Sequence, residues 1–368
     1  MRILYVTANV LGDSGANAAE IFPKLAVNSP QLSKVIVADY LENKRLVRET
    51  QGADFLKLKN YGGGVLQAVG DAARIARKAK SENIDIIHVF YRQQNAIMIV
   101  FLRLALLLLF CRSTIIMDHR SVNLARGIPS IRKKLCNAFM QLAVHRLAGN
   151  PLAVETNHWK VWKASDIIDL GYDDLPDISS NQIRPDLPCA IWFVGSLRPR
   201  NRKSEFLIEV FERLYQQRDA LQRPIEIHVA GPARPEQQAA LKANPFVSYH
   251  GNLSRRELYQ YLRARPGVGV AFMNKEFHAA APSLKFVEYA VMQYAVIASD
   301  TPGLRMQGSR MNLSDIIYVP EDQQDWADAL VDRVNRWNGL VPVWQDAPLW
   351  SYGSIFERQV IALYERLA

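Results

Sequence analysis

The chain has 368 residues, 49% of them hydrophobic, a composition typical of ordinary soluble globular proteins. A chain of this length usually folds as two domains rather than one. Lysine and arginine (45) outnumber aspartate and glutamate (36), and the formal charge of +9 favours anionic partners: nucleic acid, nucleotide phosphates or anionic lipid.

The three cysteines, Cys111, Cys136 and Cys189, are widely spaced and form no CxxC or neighbouring histidine pattern, so the sequence predicts no metal site. An odd number of cysteines fits a reducing cytosol. The chain starts with the strand-like run MRILYVTANV, which lacks the small-residue cleavage site of a signal peptide. We therefore expect a cytoplasmic protein, which could lie peripherally at the inner face of the cell membrane.

Four short apolar runs in the first half are typical of buried strands. They are RILYVTAN, KVIVADY, IDIIHVF and STIIMDH, and a longer helix-like stretch follows each. Continuously apolar strands that alternate with helices predict a parallel sheet covered on both faces. We expect this Rossmann-like domain to span residues 1–172.

The apolar run AIMIVFLRLALLLLFC, residues 96–111, is the one candidate for a membrane segment. It is shorter than the roughly 18 to 20 residues that a spanning helix needs, and Arg103 lies in its middle. We therefore predict a buried helix between two strands, with membrane insertion as the alternative.

Three polar residues close the fourth apolar strand: Asp118, His119 and Arg120. At the end of a parallel strand such side chains would point into a cleft, and their grouping favours a functional role. We take them as the catalytic candidates. His88, inside the apolar run IIHVF, is instead predicted to be a core histidine.

The segment SIRKKLCNAFMQLAVHR, residues 130–146, has an apolar stripe and a cluster of basic residues at its beginning. It could lie on an anionic membrane surface. It could equally pack on its sheet as an ordinary surface helix with a solvated basic end.

A second alternation of strands and helices follows a segment rich in proline, aspartate and serine, residues 173–188, which we predict to be the interdomain linker. Its strand-like runs are CAIWFVGS, IEIHVAGP, VSYHG, GVGVAFM, AVIASD and IIYVPE. They predict a second domain over residues 189–345, and residues 346–368 form a final helix that could cross back to the first. The predicted fold class is α/β, with two doubly wound Rossmann-like domains facing a central cleft.

The loop after the first strand of the second domain is basic. Gly195 ends the strand, and Arg198, Arg200, Arg202 and Lys203 precede the next helix. Four cations beside the positive end of a helix suit a diphosphate, and a solvated basic loop is equally compatible with the pattern.

The helix that begins in APSLKFVEY offers another candidate site. Pro282 and Ser283 suit a helix start, so the first-turn amides would point at a bound phosphate and Lys285 would add a charge. Glu288, one turn further on, could accept hydrogen bonds from the two hydroxyls of a ribose. Alternatively, Lys285 and Glu288 form an ordinary surface pair. The chain lacks the G-x-G-x-x-G fingerprint, which argues against NAD, and we predict no cofactor.

The order of these parts in residues 189–300 resembles the nucleotide-sugar-binding domain of the GT-B glycosyltransferases of family GT4, the glycosyl transferases group 1. The segment PSLKFVEYAVMQYAVIASDTPG is similar to a signature of one branch of that family. The matching residues are Pro282, Lys285, Glu288, Tyr289, Val296 and Ala298. In the first half, IIMDHRSV resembles the family's strand that carries an acceptor-side histidine or Asp-Arg.

The resemblance implies transfer of a sugar from a nucleotide diphosphate, UDP- or GDP-linked, with retention at the anomeric carbon and no obligatory metal. It implies that Glu288 holds the ribose hydroxyls, while Ser283, Leu284 and the basic loop with Arg202 or Lys203 hold the diphosphate. By the same resemblance we expect a hexosyltransferase that acts on a glycan or lipid-linked acceptor in cell-surface polysaccharide assembly.

Three positions depart from the family pattern. Ala280 replaces the first glutamate of the E-x7-E pair, Gln293 to Ala295 replace a Gly-x-Pro, and Ser196 replaces an arginine. The alternatives are therefore a nucleotide-sugar-binding scaffold or inactive GT-B homologue, and a basic nucleic-acid-binding protein. The chain lacks interleaved aromatic and basic motifs, so we predict no nucleic-acid partner.

Overall fold

The computed structural model describes residues 1–7, 18–39, 50–58, 64–90, 96–119, 139, 141–149, 165–173, 187–198, 203–275, 282–338 and 344–368. The chain divides into two compact units. The first contains Met1–Asp173 and Ser351–Ala368, and the second contains Asp174–Trp350. Of the predicted linker, residues 174–186 lie outside the described residues.

A parallel sheet forms the centre of the first unit. Its strands are β1 (Arg2–Val6), β2 (Lys34–Asp39), β3 (Asp54–Lys57), β4 (Ile86–Phe90), β5 (Thr114–His119), β6 (Arg146–Gly149) and β7 (Ser165–Ile167). They lie in the order β3-β2-β1-β4-β5-β6-β7, and every neighbouring pair is parallel. The central strands are almost wholly buried because helices cover both faces.

The helices that follow these strands are α1 (Ala18–Val27), α2 (Val65–Ser81) and α3 (Ala96–Leu108). α1 packs Phe22 into the core on one face of the sheet. α2 and α3 pack side by side on the other face, where Ile75 and Leu102 belong to the same core. Each helix therefore buries one apolar stripe against the sheet.

The second unit has its own parallel sheet. Its strands are β8 (Cys189–Val194), β9 (Ile225–Ala230), β10 (Val247–Gly251), β11 (Gly267–Ala271), β12 (Ala295–Ser299) and β13 (Ile316–Val319). They lie in the order β10-β9-β8-β11-β12-β13, with all neighbours parallel. The order reverses direction between β8 and β11, which is the point where open α/β sheets bind ligands.

Helices alternate with these strands. They are α4 (Ser204–Gln216), α5 (Pro235–Ala243), α6 (Arg255–Ala264), α7 (Leu284–Val291), α8 (Pro302–Arg310) and α9 (Gln323–Arg336). α6 begins with a capping box, in which Ser254 and Glu257 exchange hydrogen bonds with each other's backbone amides. The predicted α/β class with two doubly wound Rossmann-like units is confirmed.

The last residues of the chain return to the first unit. They form α10 (Tyr352–Ile355), a π-helical segment (Phe356–Ile361) and α11 (Ala362–Glu365). Phe356 packs against Phe22 of α1, with ring centroids 5.6 Å apart. This segment and α1 therefore contribute to one core on the same face of the first sheet.

The structure of the apolar run 96–111 differs in one respect from the expected buried helix. α3 lies between β4 and β5, as predicted, but the prediction that it is buried is wrong for its outward side. Leu104, Leu107 and Leu108 are exposed there, because the sheet covers only one side of the helix. Within the ranges described above, no helix is long and apolar enough to cross a membrane. Residues 130–138 of the predicted basic helix lie outside those ranges.

Candidate functional site

The start of α7 lies in the second unit and is fixed by a neighbouring helix. Ser283 is the N-cap residue, with an extended backbone, and it is buried. Its N–H donates to Oε1 of Gln307 in α8 (2.8 Å), and Nε2 of Gln307 donates to its carbonyl oxygen (3.1 Å). The first-turn amides, beginning with Leu284, have no acceptor within their own helix and give this end a partial positive charge. Sequence analysis missed Gln307, which is 24 residues away.

The side chain of Lys285 turns toward the end of β8. Its Nζ donates to the carbonyl oxygen of Phe272 (3.3 Å) and lies 4.2 Å from the centroid of the Phe193 ring. Gly195 has φ +151°, and a Cβ at Gly195 would lie 3.4 Å from that Nζ. The ammonium group therefore lies beside the glycine that follows β8, and φ +151° is a conformation that residues with a side chain rarely adopt.

Glu288 is held by two side chains from α6. Nη2 of Arg255 and the hydroxyl of Tyr259 (3.0 Å) both donate to Oε1 of Glu288, which is only 6% exposed. Among the described residues none donates to Oε2 from its side chain. Because Lys285 and Glu288 are both buried, they are not the ordinary surface pair that the sequence left open.

The charge of this carboxylate changes the pKa values of its partners. Burial opposes the charge on Arg255, but the attraction of Glu288 outweighs it and raises the pKa of the guanidinium. Burial and the neighbouring carboxylate together raise the pKa of the Tyr259 hydroxyl. Arg255 therefore stays charged and Tyr259 stays protonated, so both remain donors at neutral pH.

Tyr289 anchors α7 to the end of β8. Its hydroxyl accepts from the N–H of Val194 (2.9 Å) and donates to the carbonyl oxygen of Trp192 (3.0 Å). Gly269 of β11 makes room for the ring, since a Cβ there would lie 2.4 Å from it. These two hydrogen bonds fix the position of Lys285 next to Gly195, because α7 and β8 cannot shift against each other without breaking them.

The basic loop after β8 is only partly described. Arg198 is exposed, and its Nε lies 3.5 Å from the carbonyl oxygen of Ala233. Lys203 caps α4 with φ +46°, and its Nζ forms an ion pair with Glu321. Arg200 and Arg202 lie outside the described residues.

The three polar residues predicted for catalysis belong to the first unit. Asp118 is wholly buried, and its Oδ2 lies 3.2 Å from Nε2 of His88. Nδ1 of His88 lies 2.6 Å from the hydroxyl of Tyr364 in α11, and that hydroxyl lies 3.0 Å from the hydroxyl of Tyr5. His88 is a core residue, as predicted. The side chain of His119 and all of Arg120 lie outside the described residues.

Residues 188–336 match the family model described as "Glycosyl transferases group 1". The second unit is a glycosyl transferases group 1 domain. The whole chain has the GT-B fold of solved structures at low sequence identity, and a comparison with curated proteins gives no match.

Three of these structures cover the full length of the chain at 14% identity. One is the apo form of the lipopolysaccharide outer core galactosyltransferase WaaB, with a TM-score of 0.69 over 100% of both chains. The others are a glycosyltransferase from Rickettsia africae and Anabaena HepE in complex with UDP and glucose, each with a TM-score of 0.66 over 100% of this chain and 98% of theirs.

The group 1 domain brings two kinds of binding group to the switch point of its sheet. The positive end of α7 and the Lys285 ammonium can neutralise a phosphate. One turn further along α7, a carboxylate fixed by Arg255 and Tyr259 can accept hydrogen bonds from hydroxyls. The described residues contain no cluster of three or more side chains suited to a metal ion.

Proposed function

We propose that the protein is a retaining hexosyltransferase. It would move a sugar from a UDP- or GDP-linked donor to a glycan or lipid-linked acceptor in cell-surface polysaccharide assembly, at the cytoplasmic face of the membrane. The observation that carries the proposal is the buried pair of Lys285 and Glu288 at the start of α7, inside a domain of the glycosyl transferases group 1 family. The complex of HepE with UDP and glucose supports a nucleotide-sugar donor.

Residues of the group 1 domain suit separate parts of such a donor. Lys285 and the amides of Leu284 and its neighbours would hold the diphosphate, with Gly195 permitting close approach and Arg198, Arg202 and Lys203 adding charge around it. Glu288 would hold the ribose hydroxyls through Oε2. When the sugar moves, the bond from its anomeric carbon to the diphosphate breaks and a bond to the acceptor oxygen forms on the same face, while the acceptor hydroxyl gives its proton to the leaving diphosphate. The cations would stabilise the negative charge left on the diphosphate without a metal.

The acceptor side would lie in the first unit, where Asp118 and His119 end β5 and Arg120 follows them in the sequence. Asp118 is buried beneath that strand end, so it would orient its neighbours, and His119 and Arg120 would meet the acceptor. A glycan or a lipid-linked sugar is the acceptor we propose, and the likeness of the fold to a lipopolysaccharide galactosyltransferase supports it.

A panel of UDP-, GDP- and TDP-sugars, tested by calorimetry and then with membrane extract as acceptor, tests the proposal. We expect one donor to bind, and Glu288→Ala to weaken it at least about tenfold without unfolding the domain. Glu257→Gln is the matched control, because Glu257 serves an exposed capping box that glutamine also completes. Binding of no donor would contradict the proposal.

Ala280 supports a second candidate, a nucleotide-sugar-binding scaffold, since it replaces a glutamate of the family motif. A scaffold would bind a donor in the calorimeter and transfer nothing to any acceptor. Transfer of labelled sugar that depends on Glu288 would exclude it.

A further inference from the structure

The outward side of α3 is apolar over its whole length. Its inward side chains, such as Leu102 and Leu106, belong to the core of the first unit. On the opposite side, Ile97, Leu104, Leu107 and Leu108 are exposed. A helix on the surface of a globular protein normally turns polar side chains outward. The single charged residue of α3 is Arg103, and its Nη1 lies 2.6 Å from Nε2 of His145.

Phe110 extends this surface just beyond the helix. It is 92% exposed and has φ +52°, at the position after the helix where glycine or asparagine is usual. The N–H of Cys111 donates to the carbonyl oxygen of Leu106 (2.9 Å) and closes the turn. Neither the exposure of the ring nor this backbone conformation favours folding, so the reason for a phenylalanine lies outside the fold.

Two further apolar side chains lie between β5 and β6 in the sequence. Phe139 and Leu142 are exposed, and the segment joins the same core as α3 through Ala143 and Val144. We call Ile97, Leu104, Leu107, Leu108, Phe110, Phe139 and Leu142 the α3 face. Four of these side chains share one side of α3 and Phe110 follows the helix, and clustered exposed apolar side chains mark an interaction surface.

Basic residues lie on α2, which packs against α3, and just after the end of α3. Residues 65–90 and 96–112 carry six basic and three acidic side chains. Arg77 and Lys80 of α2 and Arg112 after α3 are exposed. Of the three acidic groups, Glu82 pairs with Lys34 and Lys78, Asp71 is buried, and the exposed Asp85 accepts from the N–H of Arg2. The region therefore combines an apolar face with a positive rim.

We propose that the α3 face docks on an anionic lipid membrane, with its leucines and Phe110 in the lipid and the basic rim on the head groups. A helix of 13 residues is about 20 Å long, which is too short to cross a hydrocarbon core of about 30 Å, so it lies along the surface. Lipid fits better than a protein partner, because the α3 face offers leucine, isoleucine and phenylalanine but no polar group to specify a partner. The docking does not depend on the sugar-transfer proposal.

Vesicle sedimentation without donor or acceptor tests the proposal on the full chain. The protein should bind vesicles of phosphatidylglycerol and phosphatidylethanolamine more tightly than vesicles of phosphatidylcholine. The double variant Leu108→Gln with Phe110→Gln should lower the partition coefficient at least about tenfold, a loss of about 1.4 kcal/mol. Arg112→Glu should weaken binding to the anionic vesicles only. Leu349→Gln, an exposed leucine of the second unit, is the control and should bind like the original protein.

Phe110→Gly separates docking from folding. Because glycine suits φ +52°, the variant should keep or raise its thermal midpoint while its vesicle binding weakens. Asn312→Gly, at φ +53° after α8, is the matched control and should retain binding. The proposal is overturned if the protein ignores anionic vesicles or if the double variant binds them as well as the original. It is also overturned if the α3 face only mediates self-association in sedimentation velocity.

Discussion

Arg255 and Glu288 form an ion pair that joins α6 to α7 away from solvent, at the point where the order of the second sheet reverses. Tyr259 donates to the same carboxylate oxygen, so the orientation of Glu288 is set before any ligand arrives. A carboxylate fixed in this way can accept ribose hydroxyls without losing side-chain entropy at that moment. The pair thus links the packing of two helices to the proposed donor site.

The first prediction concerns this pair. Arg255→Met should lower the free energy of unfolding of the second unit by about 3 kcal/mol, because it leaves a buried carboxylate without its counter-charge. The double variant Arg255→Met with Glu288→Leu should recover most of that loss, and urea unfolding measures both. Equal losses in the single and double variants would show that Arg255 contributes through packing and not through its charge.

Much of this site could be predicted from the sequence because its signal is local. Ser283, Lys285 and Glu288 lie within six positions, at the start of one helix, and helical spacing alone places them on adjacent turns. Arg255, Tyr259 and Gln307 were missed, because each contacts the site from another helix and no periodicity links positions that far apart. Nothing in a single sequence could have shown that Lys285 is directed toward Gly195 and not toward Glu288.

In the fold as well, elements with a strong local sequence signal were predicted and those without one were missed. The long apolar strands β1, β4, β8 and β12 were predicted, because strands covered on both faces are continuously apolar. β3, β6 and β7 were missed, since they have only three or four residues and lie toward the edges of the first sheet, where β3 is largely exposed. α3 was predicted as a helix but its exposure was not, because an all-apolar stretch does not indicate which side the sheet will cover.

A second prediction tests the anchor of α7. Gly269→Ala should lower the free energy of unfolding by about 1–3 kcal/mol, since the added methyl group would meet the Tyr289 ring at 2.4 Å. It should also weaken donor binding, because the Tyr289 contacts with β8 position α7. Gly70→Ala is the control: it lies within α2 with open space around it, and should stabilise the protein by about 0.5–1 kcal/mol. Denaturant unfolding measures the stability of both variants, and donor titration measures their donor binding.

A third prediction concerns pH. Burial lowers the pKa of His228 to about 4, against the opposing hydrogen bond with Glu226. Unfolding would restore an ordinary value near 6.5, so the unfolded chain binds more protons between these values. The contribution of His228 to the free energy of unfolding is therefore fully present above about pH 6.5. It falls as the pH drops toward 4, by at most about 1.4 kcal/mol per pH unit.

A comparison of the original protein with His228→Gln tests whether His228 makes the protein less stable as the pH falls. The difference in their free energies of unfolding should shrink as the pH falls from 7 to 4.5, because only the histidine takes up a proton on unfolding. A difference that stays constant over this range would mean that His228 titrates normally in the folded protein.

The last prediction concerns the return of the chain to the first unit. Tyr364 is buried, and its hydroxyl lies within hydrogen-bond distance of His88 and of Tyr5, while His88 in turn contacts Asp118. Tyr364→Phe should therefore cost about 1–3 kcal/mol, because it deprives buried polar groups of a partner. Hydrogen exchange at the amides of β4 measures this loss locally in the first unit.

Tyr215→Phe is the control, since Tyr215 stacks on Phe246 and no described residue bonds its hydroxyl; it should change stability by less than about 0.5 kcal/mol. If Asp118 orients the acceptor residues at the end of β5, Tyr364→Phe should also lower kcat with little effect on donor KM, because the hydrogen-bonded chain from Tyr364 through His88 ends on that carboxylate. Unchanged exchange and unchanged kcat would show that the chain of contacts is incidental to both folding and catalysis.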